Sequence, residues 1–123
     1  MAKILVVDDE FGIGELLREL LSEEGHNVAL AVNGRQGLVQ VAHERPDLIL
    51  LDFMMPVLDG AGMMKAMTAD PAMSAIPVII MSSLPEATIA ERTNGYLAYV
   101  RKPFRINTIL QLVSATLTGQ RPD

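Results

Sequence analysis

Leu48-Ile49-Leu50-Leu51-Asp52-Phe53-Met54-Met55-Pro56 is the stretch on which the reading of the fold turns. Four consecutive apolar residues, with Pro46 just before them and an aspartate just after, spell a strand covered on both faces, because a strand with one wet face would alternate. An aspartate placed directly after such a run is costly without a partner. Asp52 is therefore read as functional rather than as an ordinary turn residue.

The chain on either side follows one rhythm. Toward the N-terminus, Leu38, Val41 and Ala42 mark a helix that Pro46 stops, and Val28 to Val32 is a strand followed by the turn signal Asn33-Gly34. Ile13, Leu16, Leu17, Leu20 and Leu21 share one face of an earlier helix, which Gly25 ends. Lys3 to Val7 is the first strand. Toward the C-terminus, Asp59-Gly60 opens a helix with Met63, Ala66 and Met67 inward, closed by Pro71. Pro77 to Met81 is a strand, Ala87 to Thr93 a weakly amphipathic helix, and Leu97 to Val100 the last strand. Ile106, Ile109, Leu110, Val113 and Leu117 give the final helix. Five strand-helix units in strict alternation predict an α/β domain: a doubly wound, five-stranded parallel sheet with helices on both faces. The domain is set at residues 1–119, and residues 120–123 form a polar C-terminal tail expected to fray.

The whole-chain numbers fit this reading. In 123 residues, half are hydrophobic and a fifth charged, enough apolar side chain to order a single domain. A net charge of −5 argues against direct nucleic-acid binding, which needs Lys and Arg to neutralise phosphates. Cysteine is absent, so disulfides, thiolate metal sites and cysteine nucleophiles are excluded, and a cytoplasmic location fits. The run Ile4-Leu5-Val6-Val7 is too short for a signal sequence, and the longest apolar stretch is interrupted by Asp52 and Pro56, so no membrane span is expected.

In open α/β sheets, ligands bind beyond the carboxyl ends of the strands. The first strand ends in Asp8-Asp9-Glu10, the third in Asp52, the fourth in Ser82-Ser83 and the fifth in Arg101-Lys102-Pro103. Carboxylates gathered on one rim repel one another unless a cation joins them. Mg²⁺ suits an all-oxygen set and commonly shares its shell with a phosphate. A carboxylate can attack phosphorus, and phosphoryl transfer asks mainly for positioning and charge stabilisation. Taken singly, Asp8 and Asp9 are equally well explained as helix caps, Ser82 as a loop residue, Lys102 as a solvated cation and Tyr99 as a packing residue. Their convergence on one rim favours a site. Met63 and Met67 at helical spacing are read as core, and His26 and His43 as exposed.

Four motifs in order, Val6-Val7-Asp8-Asp9-Glu10, Leu51-Asp52-Phe53-Met54-Met55-Pro56 with Asp59-Gly60, Met81-Ser82-Ser83, and Lys102-Pro103-Phe104, resemble the receiver domains of two-component response regulators, of the stand-alone single-domain type. The resemblance implies a (βα)5 flavodoxin-like fold and a role for each matching position. Asp52 would be the phosphoacceptor. Asp9, Asp52 and the backbone carbonyl of Met54 would bind Mg²⁺ directly, and Asp8 mainly through a water. Lys102 would pair with the phosphoryl group, Ser82 would hydrogen-bond it, and Tyr99 would be the switch aromatic. Pro103 would follow a cis bond. The phosphodonor would be a sensor histidine kinase or a phosphotransfer protein, and an altered face at the fourth helix and fifth strand would engage a downstream protein.

Two departures stand out. Met54 and Leu84, two residues after Asp52 and Ser82, are apolar where the family borders the phosphoryl group, and slow self-dephosphorylation is expected. Tyr96 is bulky where the family is usually small. Two other functions compete: a receiver-like interaction module that is never phosphorylated, and a phosphatase with an aspartyl nucleophile. The second wants an acid two residues after the nucleophile, where this chain has Met54. The expectation is a phosphoacceptor signalling domain, not a turnover enzyme.

Overall fold

The structure is a computed structural model and describes residues 1–119; the tail at 120–123, expected to fray, lies outside the described residues. Five strands, β1 (Lys3–Val7), β2 (Asn27–Ala31), β3 (Leu48–Asp52), β4 (Val78–Ser82) and β5 (Ala98–Arg101), alternate with five helices. The helices are α1 (Phe11–Glu23), α2 (Gly34–His43), α3 (Gly60–Thr68), α4 (Glu86–Arg92) and α5 (Ile106–Leu117). All strand pairs are parallel, in the order β2-β1-β3-β4-β5. Chain direction across the sheet reverses between β1 and β3, so a crevice opens beyond their carboxyl ends.

Strand alternation divides the core in two. Ile4 and Val6 of β1, Leu48 and Leu50 of β3, and Ile79 and Met81 of β4 pack with Leu17 and Leu21 of α1 and Ile109 and Val113 of α5. The intervening Leu5, Val7, Ile49, Leu51, Val78 and Ile80 pack with Val41 of α2, the three methionines of α3 and Ile89 of α4. Every residue of β3 is buried, as a strand covered on both faces requires.

The helix faces differ in detail from the periodicity reading. In α1, Leu17 and Leu21 are buried but Leu16 is exposed, its place nearest the sheet taken by Gly14. In α2, Gly34, Gly37 and Val41 face inward and Ala42 is outside. In α3, Met64 is buried and Ala66 exposed. The inferred anchors Leu17, Leu21, Val41, Met63 and Met67 stay buried, and at Gly37 of α2 a Cβ would meet Met63 at 2.9 Å and Val7 Cγ2 at 3.2 Å, so the missing side chain lets that helix sit close to β1 and α3. Strand β2 lies one residue earlier than the inferred span, β4 and β5 one residue later, and α4 begins one residue earlier.

Gly60 shows how the third strand is tied to its helix. Its N–H donates to Phe53 O at 2.8 Å, and a Cβ there would meet Phe53 Cα at 2.7 Å and Asp52 O at 2.9 Å. A side chain at Gly60 would push the loop off the end of β3, so this residue holds the backbone around Asp52. Asp59 caps α3, accepting from Gly62 N–H at 2.8 Å.

Candidate functional site: an acidic rim closed by a lysine

The rim is built by strand ends. Asp8 follows β1 and donates its N–H to Ala31 O of β2 at 3.0 Å, which continues the sheet by one residue and buries its carboxyl group. Asp52 ends β3 at 5% exposure. Ser82 ends β4 and is buried. Lys102 follows β5 and donates its N–H to Ser82 O at 2.8 Å, which directs its side chain back across the rim.

The ammonium of Lys102 lies 3.0 Å from Asp8 Oδ2, 3.3 Å from Asp52 Oδ1 and 3.3 Å from Glu10 Oε1. Oxygens of Asp8, Glu10 and Asp52 all fall within 4.8 Å of one another, near enough to share one small cation. Above them is an opening of about 280 Å³ lined by Asp9, Glu10, Asp52, Met54, Ser82, Ser83 and Lys102. The Asp52 carboxyl is pushed up to about 7, first by burial and then by the charge of Asp8; Lys102 works in the opposite direction, and a hydrogen bond with Asp9 adds to the rise. Burial disfavours the Lys102 charge, but its hydrogen bond with Asp8 and the charges of Asp52 and Asp8 outweigh that, and its pKa rises. One ammonium thus leaves the carboxylate rim with surplus negative charge.

The residues inferred from sequence converge, with changes of part. Glu10 was passed over and belongs to the carboxylate triad; its position after Asp8-Asp9 on the same strand end was the available signal. Asp9 stands outside that triad but lines the opening beside Asp52. The N-cap of α1 is Glu10 with no side-chain cap bond, so neither aspartate caps the helix; Asp8 Oδ1 instead accepts from Glu10 N–H at 2.9 Å. Met54 is 53% exposed at the mouth. Leu84 does not border the opening: it packs partly buried against the core beneath α2 to α4, and Ser83 takes the lining position.

Ser82 and Tyr99 are linked through the segment that follows β4. Ser82 Oγ accepts from Leu84 N–H at 3.0 Å, and the Tyr99 hydroxyl donates to Leu84 O and, at 3.4 Å, to Ser82 O. Burial raises the Tyr99 phenol. Tyr96 follows Gly95, which has a positive φ of 86°, and its ring packs half-buried against the same core as Tyr99. The Lys102–Pro103 bond is cis. His26 is half-buried rather than exposed, because its Nδ1 accepts from Ala2 N–H at 3.2 Å; His43 is exposed at the end of α2.

A larger hollow, about 690 Å³, opens at the other end of the sheet between the N-terminus and α5. Of its polar side chains, His26 and Asp47 accept from the N–H groups of Ala2 and Lys3, and no lysine or arginine lines it, so the meeting of carboxylates with a cation is at the acidic rim.

A five-stranded parallel sheet in this order, flanked by five helices, defines the flavodoxin-like class of receiver folds. The chain belongs to the response regulator receiver domain family, whose model matches residues 4–114. It is 36% identical over 121 residues to Protein PilH of Pseudomonas aeruginosa, covering 97% of this chain and 100% of that protein. It is 40% identical over 117 residues to sporulation initiation phosphotransferase F of Bacillus subtilis, covering 94% of this chain and 93% of that protein. Response regulator MprA of Mycolicibacterium vanbaalenii is 36% identical over 127 residues, and there the match spans 98% of this chain but 52% of the relative. Among solved structures, the receiver domain of Francisella response regulator 1452 superposes with a TM-score of 0.88 at 30% identity, covering 97% of this chain and 98% of that one. The chemotaxis response regulator CheY4 of Vibrio cholerae does so at 0.86 and 29%, covering 94% and 98%. The protein is thus a receiver domain of the two-component signalling class. No helix among the described residues is long and apolar enough to cross a membrane.

Proposed function

We propose that the domain is a phosphorylation-dependent switch in which Asp52 accepts a phosphoryl group from the phosphohistidine of a sensor histidine kinase or phosphotransfer protein. The observation that carries this reading is the Lys102 ammonium held between Asp8, Glu10 and Asp52 at the mouth of one opening. A cation already in contact with the nucleophile can meet the incoming phosphoryl oxygens without rearrangement. An oxygen of ionised Asp52 bonds to phosphorus as the phosphorus–nitrogen bond breaks, and the histidine leaves with the electron pair and takes up a proton. Lys102 pairs with the transferred group.

The residues present fit Mg²⁺: the donor set is all oxygen, and Asp52, raised first by burial and then by the charge of Asp8, would be relieved by a cation. Asp9, Asp52 and the backbone carbonyl of Met54 would hold the ion directly and Asp8 through a water, with Glu10 a further carboxylate in reach. Bound there, Mg²⁺ supplies charge neutralisation for the phosphoryl oxygens.

Ser82 is the readout. Its hydroxyl turns from Leu84 N–H to a phosphoryl oxygen, and Tyr99, bound to Leu84 O and Ser82 O, follows that movement. The α4–β5 face then shifts population and alters binding of a downstream protein. Turnover is not its role: the group is received and held. A cytoplasmic location belongs to the same reading, since a phosphohistidine donor draws on ATP inside the cell.

Incubation with Mg²⁺ and acetyl phosphate, followed by intact mass measurement beside an Asp52→Asn control, tests this. One phosphoryl adduct on the parent and none on the control is the expected result. No adduct together with no Mg²⁺ binding would overturn it in favour of an unphosphorylated interaction module.

A further inference from the structure

A groove of about 320 Å³ separates α3 from α4, lined on one wall by Ala61, Lys65 and Thr68 and on the other by Arg92 and Asn94. None of these residues lines the phosphoacceptor opening. In a chain of net charge −5, no carboxylate lines this groove, and its charged groups are two cations. Among the described residues, neither Lys65 nor Arg92 is in an ion pair, a condition they share with Arg35, Arg45, Arg101 and Arg105; what sets them apart is that both line one groove. Each sits in the last turn of its helix, where the carbonyl dipole favours a cation. That accounts for either one alone, but not for both meeting across a groove without acids.

The shape and the donors indicate the occupant. The α3 wall from Ala61 to Thr68 is about 10 Å long, the reach of about three residues of extended peptide. A compact phosphate is best held by converging N–H groups at a helix N-terminus, whereas Lys65 and Arg92 mark the C-terminal turns of both helices. Cations on two separate walls suit two separate carboxylates.

We infer that the α3–α4 groove docks an extended acidic segment of a partner protein, with Lys65 and Arg92 each taking a carboxylate and the Asn94 side chain offering a hydrogen bond. Both walls hang on the rim: α3 begins after the loop that follows Asp52, and α4 begins after Ser82 to Pro85. Docking and phosphorylation therefore influence each other, reciprocally. This coupling rests on the function proposed above; docking does not, and is measured on the unmodified protein.

The probe is a fluorescein-labelled peptide of alternating Glu and Ser, with its Gln counterpart and pyrophosphate beside it, followed by anisotropy and by amide shifts. The Glu peptide is expected to move the amides of Lys65, Thr68 and Asn94, and the Gln peptide to leave them in place. Combining Lys65→Glu with Arg92→Glu should weaken binding by about tenfold or more, and added salt should weaken it as well. Both positions are exposed, and circular dichroism checks that the variant is folded. Binding that survives the double reversal, or shifts confined to other residues, would overturn the docking site. Pyrophosphate moving these amides when the peptide does not would replace the peptide by a phosphate ligand. Equal affinity before and after acetyl phosphate treatment would remove the coupling and leave the docking intact.

Discussion

Val57 has a φ of 70° in the loop between Asp52 and α3, and around it Leu58 N–H donates to Pro56 O at 2.8 Å. This is a three-residue turn in a conformation that a β-branched residue rarely adopts, and such strain costs on the order of 1–3 kcal/mol. Val57→Gly should raise stability by about 1 kcal/mol, net of glycine's greater freedom in the unfolded chain; an unmoved or lowered urea midpoint would show that the turn is relaxed. At the mouth of the site, Met54 has no group that can orient an attacking water. Met54→Gln should shorten the phosphoryl lifetime several-fold, each tenfold being about 1.4 kcal/mol of barrier. Leu84 packs against the core rather than the opening, so Leu84→Asn should lower the melting temperature more than it changes the decay rate. Radiolabel or mass decay curves on the two variants separate these roles, and equal effects on decay would contradict the burial of Leu84.

Among the helices, α4 is the weakest. It spans Glu86–Arg92, has no side-chain cap, and buries one residue, Ile89. Few side chains bind it to the sheet, and local opening at low free-energy cost follows from such sparse burial. Ile89→Ala should cost about 2–4 kcal/mol if α4 unfolds with the rest of the domain. If α4 opens alone, the measured loss will be smaller, and amide exchange will lose protection in α4 while β3 keeps its own. Such a helix suits a switch, since Ser82 and Leu84 at its entrance are tied to Tyr99 by hydrogen bonds that can be exchanged.

For the molecule as a whole, the rim sets a pH dependence. Asp52 is pushed from 3.8 up to about 7, so the folded state binds the proton more tightly than the unfolded one. Stability should therefore fall as pH rises from about 4 to about 7, by up to a few kcal/mol, and level off above. Mg²⁺ should reverse the trend by binding the ionised rim, with a larger rise in melting temperature at pH 8 than at pH 5. Thermal melts at several pH values with and without Mg²⁺ check both signs; a stabilisation that is equal at both pH values would place the ion elsewhere.

Much of this was legible in the residues alone. The unbroken run Leu48 to Leu51 required a strand covered on both faces, and regular alternation of short apolar runs with helical periods required a parallel sheet. Asp52 could be found because it directly follows four apolar residues, where a carboxylate without a partner is costly, and Ser82 and Lys102 because they end strands whose carboxyl ends share its rim. Local pattern could not decide which way each helix turns about its axis. Gly37 and Gly60 carry no hydrophobic signal, yet a Cβ at either would meet a neighbour under 3.0 Å, so their close packing is visible only in the tertiary structure. Nor could it divide the labour among Asp8, Asp9 and Glu10, three adjacent acids of similar chemistry. Only the pairing of β1 with β3 brought Asp8 and Glu10 near Asp52, and only the packed sheet let Lys102, more than 90 positions further along, reach Asp8 and Glu10.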